Sequence, residues 1–407
     1  MHILYLVTLD NEHDAGKIYK IRDRVNYWRS VGHTVRVWIL SRDHEYAIRG
    51  LSELEGVKVF NAMPFHLPLA SKLKWIKKAE RYLRQVVSLQ RLYREIESCK
   101  PDLVYYPQHI WLPGLARLLR QHLSVMEVNV IDTEEVKFTP LIRRWIYRAG
   151  RKSLIRSVDG LVCVTPEIEA KFRKYGKPSC VISNGIDLNR IPLKRPDASR
   201  RAHLIFVGSA DIPSQGIDLV IKLAQRLPQY VFHIVCPDLP AGKQQNIISH
   251  GALHDTQLIT LYPQIDIGIG TLALFRKHMR QACPLKVREY IAAGLPLMLA
   301  YEDCDLPADP HILRLPDKPT DLDDTWISRI ESFVEENRMK RLPESIRLRV
   351  ALEGKEMVRL SFFKGLIEAH RTHRRHEIIP HALPQIAADA ATVEAIGPSS
   401  AQTPMAV

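Results

Sequence analysis

The sequence predicts an α/β protein of two parallel-sheet domains facing each other across a cleft. Three observations predict it. Short β-rich runs alternate with helical periodicity along most of the chain, and such alternation implies a mostly parallel sheet covered on both faces. The alternation is broken at Ile191-Pro192-Leu193-Lys194-Arg195-Pro196, where proline and charge mark an interdomain linker. The 407 residues suffice for two domains of ordinary size, and an apolar content of 46% supplies their cores.

In the first half the expected strands are 3–7, 34–40, 57–60, 103–106, 127–131, 160–164 and 180–182. The expected helices are 17–31, 69–99, 114–121, 141–157 and 166–174. The second half repeats the pattern, with strands 203–207, 231–235, 247–249, 265–269 and 297–301 and helices between them. The domains are then 1–190 and 197–350. A last helix follows at 351–375. The tail 378–407 is rich in Ala, Pro and Ser without periodicity, and is expected to be disordered. Ligands of open parallel sheets sit beyond the carboxyl ends of the strands. The chemistry is therefore expected in the loops after residues 7, 131, 207, 249 and 269, and around 285.

Composition narrows the function. No apolar run approaches the ~20 residues of a membrane span. The N-terminus reads as a strand and soon meets Asp10-Asn11-Glu12-His13-Asp14, unlike a signal peptide. Six cysteines without Cys-x-x-Cys spacing read as reduced thiols of a cytoplasmic protein. Charge is uneven: residues 1–190 hold 32 Lys+Arg against 20 Asp+Glu, and the rest holds 26 against 25. The first half thus carries +12 of the net +13 and is expected to face a polyanion. No zinc-finger, RNP or recognition-helix pattern supports nucleic acid. An anionic membrane surface ranks first, on the inner face of the cytoplasmic membrane. Two stretches carry that expectation. In 69–99, Trp75, Tyr82 and Tyr93 alternate with Lys72, Lys74, Lys77, Lys78, Arg81 and Arg84. In 141–157, Trp145 and Tyr147 mix with Arg143, Arg144, Arg148, Arg151, Lys152 and Arg156. Either helix alone reads better as a core stripe with a solvated basic face, and it is the +12 balance that tips the reading to membrane contact.

The most informative segment is Cys283-Pro284-Leu285-Lys286-Val287-Arg288-Glu289-Tyr290-Ile291-Ala292-Ala293-Gly294-Leu295-Pro296. Proline suits a helix start, where no N–H donor is needed. Lys286 and Glu289 then share one face of the first turn. A helix N-terminus with a lysine attracts phosphate, and a carboxylate one turn on suits a ribose diol. The spacing fits a nucleoside diphosphate; an amphipathic helix with solvated charges fits it too. Gly16, in the loop before the first helix, permits close approach of backbone to a ligand, or simply makes a turn. His13 and Asp14 are polar neighbours placed to touch a sugar, while Lys20 and Arg22, on the first helix, read as a solvated face before they read as phosphate contacts. Asp132, at the end of a strand, is placed either for general-base work or to cap the next turn. The loop Gly208-Ser209-Ala210-Asp211-Ile212-Pro213-Ser214-Gln215-Gly216 offers glycines and backbone N–H groups to an anion.

The segment at 283–296 resembles the donor-site helix of GT-B glycosyltransferases of family 4, where Pro-x-Lys-x-x-Glu-Tyr-x-Ala-x-Gly-x-Pro recurs. Further resemblances follow in order: the first strand with Gly16 and Gly32-His33-Thr34-Val35, Lys100-Pro101-Asp102-Leu103-Val104, Ser183-Asn184-Gly185-Ile186-Asp187, and the strand and loop through Gly208 and Gln215-Gly216. Together they span about residues 1–370. The resemblance implies the GT-B fold of two Rossmann-like domains and transfer of a hexosyl group from a UDP- or GDP-linked sugar to a glycan or lipid-linked acceptor hydroxyl, in exopolysaccharide or glycolipid synthesis. It implies donor binding through Gly16, Gly208, Ser209, Gln215, Gly251, Lys286 and Glu289. The loop at Gly251 lies against the base. Catalysis is assigned to Lys286 and Asp132, with His109 near the family's histidine position. Where the family usually has Arg, Lys and an acid, this chain has Ser209, Gln215 and Gln281, so Lys286 is left as the main cation on the diphosphate. No cofactor or metal is expected; Asp303 and Asp305 have Asp-x-Asp spacing but lie beyond the donor helix. A nucleotide-sugar epimerase of the same architecture and an inactive nucleotide-sugar-binding protein are the alternatives.

Overall fold

The computed structural model describes residues 1–9, 15–41, 51, 54–60, 74–108, 111–135, 141–237, 239, 244–253 and 255–375. His13, Asp14, Lys72, His109 and the tail 378–407 lie outside the described residues.

Two parallel sheets form the molecule. The first holds β1 (His2–Leu9), β2 (Thr34–Ser41), β3 (Val57–Phe60), β4 (Leu103–Pro107), β5 (Ser124–Val128), β6 (Gly160–Cys163) and β7 (Ser179–Val181), in the order β3-β2-β1-β4-β5-β6-β7. The second holds β8 (His203–Val207), β9 (Val231–Val235), β10 (Ile247–Gly251), β11 (Ile267–Ile269), β12 (Leu297–Leu299) and β13 (Ile312–Arg314), in the order β10-β9-β8-β11-β12-β13. Every pairing between these strands is parallel. Strand order reverses direction between β1 and β4 and between β8 and β11, and the carboxyl ends there open the crevices where open α/β sheets bind ligands.

Alternation along the strands assigns the helices to faces. Leu4, Leu6, Val104 and Tyr106 share a core with residues of helices Lys74–Cys99, Leu115–Gln121 and Leu141–Ser157. Ile3, Tyr5, Val7 and Tyr105 point the other way, to helix Ala15–Ser30 and to the C-terminal helix Leu352–Arg375. The last helix thus leaves the second domain and completes the core of the first. Its Glu356 accepts bonds from Arg24 and from the indole of Trp28, and its Arg359 donates to Tyr105. These charged side chains are almost wholly buried.

Several expectations are corrected. Strand β5 spans Ser124–Val128, three residues earlier than the expected 127–131, which leaves Glu127 inside a strand. Lys20, Arg24 and Tyr105 surround its carboxylate and make that burial tolerable. Lys20 is therefore directed to Glu127 and Asn129, not outward to a phosphate. Gly16 lies in the first turn of helix Ala15–Ser30, not in the loop before it. The proline-rich linker at 191–196 is packed: Ile191 is buried, and Lys194 donates to the carbonyls of Asp266 and Arg338. Strand β13 was not foreseen, because three residues in a proline- and charge-rich stretch give no alternation to read.

Candidate active site at the interdomain cleft

Lys286 stands in the first turn of helix Leu285–Ala292, whose N-cap Pro284 makes no side-chain capping bond. The Val287 and Arg288 N–H groups bond back to the Pro284 carbonyl, so of the opening N–H groups those of Leu285 and Lys286 stay outside the internal bonding of the helix. The Lys286 ammonium lies 3.8 Å from the ring centroid of Phe206 on β8. Its Nζ is buried and has no hydrogen-bond partner among the described residues. Burial without a counter-charge lowers its pKa to about 7. A buried amine at a helix start, without a carboxylate beside it among the described residues, suits an anionic ligand.

The adjoining loop is built around Gly208. A Cβ there would lie 2.3 Å from Gln215 Oε1 and 2.7 Å from the Phe206 ring, so any larger residue must displace both side chains. Gln215 Oε1 accepts the Ser209 N–H at 2.9 Å. Gln215 therefore occupies, from within, a donor that the sequence reading offered to a diphosphate. Gly251 ends β10 with φ 64° and open space around it. Beside it, His250, His233 and His203 form a chain of imidazoles, with N···N distances of 2.9 and 3.0 Å across three strands. Burial drives the His233 pKa down to about 3, which keeps the middle ring neutral.

Glu289 lies one turn beyond Lys286. It accepts a 2.5 Å bond from the Tyr262 hydroxyl and faces Arg190 at 3.7 Å. Arg190 is also 3.7 Å from Asp23 and stacks over Tyr19, both on helix Ala15–Ser30. Helix Ala15–Ser30, which carries Gly16, and the helix of Lys286 and Glu289 are thus brought together at one cleft. Asp132 opens the short helix Asp132–Glu135 beyond β5. Its side chain lies outside those described.

The neighbouring seam was largely invisible in the sequence. Glu167, at the start of helix Pro166–Phe172, accepts the N–H groups of Arg280 and Gln281 at 2.9 and 2.8 Å. Gln281 Oε1 accepts the Glu167 N–H at 2.9 Å in return. Asn184 donates to the Cys283 carbonyl, and Arg288 donates back to the Asn184 carbonyl. Arg288 is fully buried and forked onto Asp303, with a further bond to Asp305. Lys355 and Ser183 complete the partners of Asp305. The Asp-x-Asp pair is thereby engaged in ion pairs. The signal for Arg288 stood inside the donor motif itself, and the one for Arg190 three residues beyond Asp187.

The family model Glycosyltransferase Family 4 matches residues 21–190. No curated protein sequence matches the chain. Among solved structures, sucrose-phosphate synthase from Thermosynechococcus elongatus superposes with a TM-score of 0.63 at 13% identity, covering 91% of this chain and 100% of that one. HepE from Anabaena, solved with UDP and glucose, gives 0.58 at 14% identity over 91% and 100%. UDP-GlcNAc 2-epimerase from Neisseria meningitidis, bound to UDP-GlcNAc, gives 0.55 at 12% over 90% and 100%.

Proposed function

We propose that this protein transfers a sugar, a hexosyl group, from a nucleoside-diphosphate sugar to an acceptor hydroxyl of a glycan or lipid-linked intermediate; the match of residues 21–190 to the family 4 model and the GT-B fold of the described residues support the reading. The observation that carries the reading is the unpartnered, buried Lys286 ammonium at the start of helix Leu285–Ala292. A diphosphate leaving group gains a full negative charge as the glycosidic bond breaks. A preorganised cation beside free N–H donors stabilises that charge without reorganising. Glu289 takes the ribose diol with the oxygen capacity left by Tyr262, and the backbone around Gly251 takes the base. Gly208 admits the diphosphate close to the chain. Ser209 contributes position only, since its N–H is occupied, and Gln215 holds the loop. Gly16 in the first turn of its helix faces the donor from the other domain. Asp132 receives the acceptor proton. The neighbour solved with UDP and glucose supports a UDP-linked donor, with a GDP-linked donor as the other choice.

The epimerase reading has a specific basis in the similar fold of UDP-GlcNAc 2-epimerase. The inactive-binder reading has one in the Ser209 N–H already taken by Gln215. One experiment separates all three. A panel of nucleotide-sugars is screened for a rise in melting temperature, since a ligand of the native state stabilises it. The donor found is then incubated with and without acceptor glycans. Transfer requires nucleoside diphosphate released only with acceptor. An isomerised nucleotide-sugar formed without acceptor means epimerase. Binding without any turnover means an inactive binder.

A further inference from the structure

Helix Leu141–Ser157 has six basic residues and no acidic one. Its inner side is fixed: Tyr147, Leu154 and Ile155 are buried, and Gly150 fits tightly against the Trp111 ring. On its outer side Leu141 is 72% exposed and Trp145 79%. Arg148, Lys152 and Arg156 are exposed as well. Positions 141, 145, 148, 152 and 156 follow the 4-3-4-4 spacing of a single helix face. This face therefore carries two large apolar side chains at its front end and three cations behind them.

Its orientation places the front end. The helix follows β5 and precedes the parallel β6, so it runs back along the sheet. Leu141 and Trp145 then lie toward the carboxyl ends of the strands, which is the cleft end. Helix Lys74–Cys99 packs on the same face of the sheet and exposes Leu83, Val87, Arg91 and Arg94 at a similar spacing.

We propose that this face of the first domain, led by Leu141 and Trp145, docks on an anionic lipid surface and brings the cleft mouth to the membrane. An indole and aliphatic side chains rooted among cations match the boundary between headgroups and acyl chains. Leucine and valine have no role against a phosphate backbone, and this favours lipid over nucleic acid. The docking stands on exposure and charge alone. Only its consequence, that a lipid-linked acceptor enters the cleft from the membrane side, rests on the transferase reading.

The test is co-sedimentation of the full chain with phosphatidylcholine vesicles, with and without phosphatidylglycerol. Binding is expected only with phosphatidylglycerol, with release in high salt as the Debye length shrinks. Changing Arg148, Lys152 and Arg156 together to Gln is expected to weaken vesicle partition by about 10²-fold, given the attraction per basic residue. A Leu141→Ser, Trp145→Ser variant is expected to weaken partition without a change in melting temperature. Equal binding to neutral vesicles, no binding, or undiminished binding by both folded variants overturns the proposal. So does displacement from vesicles by a short DNA duplex, which would make the face a nucleic-acid surface. Nucleotide-sugar binding by the same variants is measured in parallel. Its absence in the wild type would count against the transferase and leave the docking result intact.

Discussion

Lys286 carries the clearest pH prediction. With its pKa at about 7, the Lys286 amine is half charged at that pH, largely charged about one unit below it and largely neutral about one unit above. A bound diphosphate raises that pKa by supplying the missing counter-charge. Binding above pH 7 must therefore take up a proton, and affinity is expected to fall as pH rises from 7 to 9, by up to about tenfold per unit. Calorimetry in buffers of different ionisation enthalpy reads the proton directly; affinity independent of pH would remove Lys286 from the diphosphate. For Glu289→Gln, the Michaelis constant for the donor should rise, because a bond to a charged carboxylate is the stronger one. A 2′-deoxyribose donor should bind both proteins about equally. If the full mutant defect persists with that analogue, the ribose assignment is wrong. Lys286 and Glu289 were legible because local spacing alone defines their shared face. Arg288 stood between them in the same motif, but its burial and its partners were not legible. Its partners Asp303 and Asp305 lie beyond a strand, and a helical arginine reads as solvated until the fold buries it.

At the scale of elements, the reciprocal bonds between Glu167 and residues 280 and 281 tie the first domain to the loop that leads into helix Leu285–Ala292. Glu167→Ala is expected to loosen that loop and to raise the donor Michaelis constant several-fold, with a melting temperature close to wild type. Glu167→Gln should restore part of it, because an amide oxygen still accepts one N–H. An Ala variant with unchanged donor kinetics would reduce the seam to packing. Gln281 could be noticed in the sequence as a departure from the family pattern. Its bond to another domain could not, since 114 positions separate it from Glu167. The same limit explains β5. Glu127 reads as the edge of a strand, and the cations that permit its burial come from helices distant in sequence. Most other strands were legible because runs buried on both faces are nearly continuous in Val, Ile and Leu.

For the molecule as a whole, the two-domain architecture was readable from the β/α alternation, whereas the return of helix Leu352–Arg375 to the first domain was not. Its buried charges, Glu356 and Arg359, look like ordinary helix-surface residues in the sequence. Within the structure, Glu356 sits between Arg24, Trp28 and Arg359. Removing one partner of a buried ion pair strands the others, so Glu356→Ala should cost about 3–5 kcal/mol in urea unfolding. A loss below ~1 kcal/mol would mean that the helix is not integral to the first domain. Charge is the other whole-molecule property: the sequence shows that the first half is basic, and the structure adds that Leu141 and Trp145 stand exposed on one of its basic helices. The central claim is that a nucleoside-diphosphate sugar is seated and its leaving group stabilised at Lys286. It is tested most directly by acceptor-dependent nucleoside diphosphate release in wild type and Lys286→Ala, with the melting temperature confirming the fold. The account predicts a fall in kcat/KM of at least ~10²-fold in the variant. Equal release by the two proteins would contradict it.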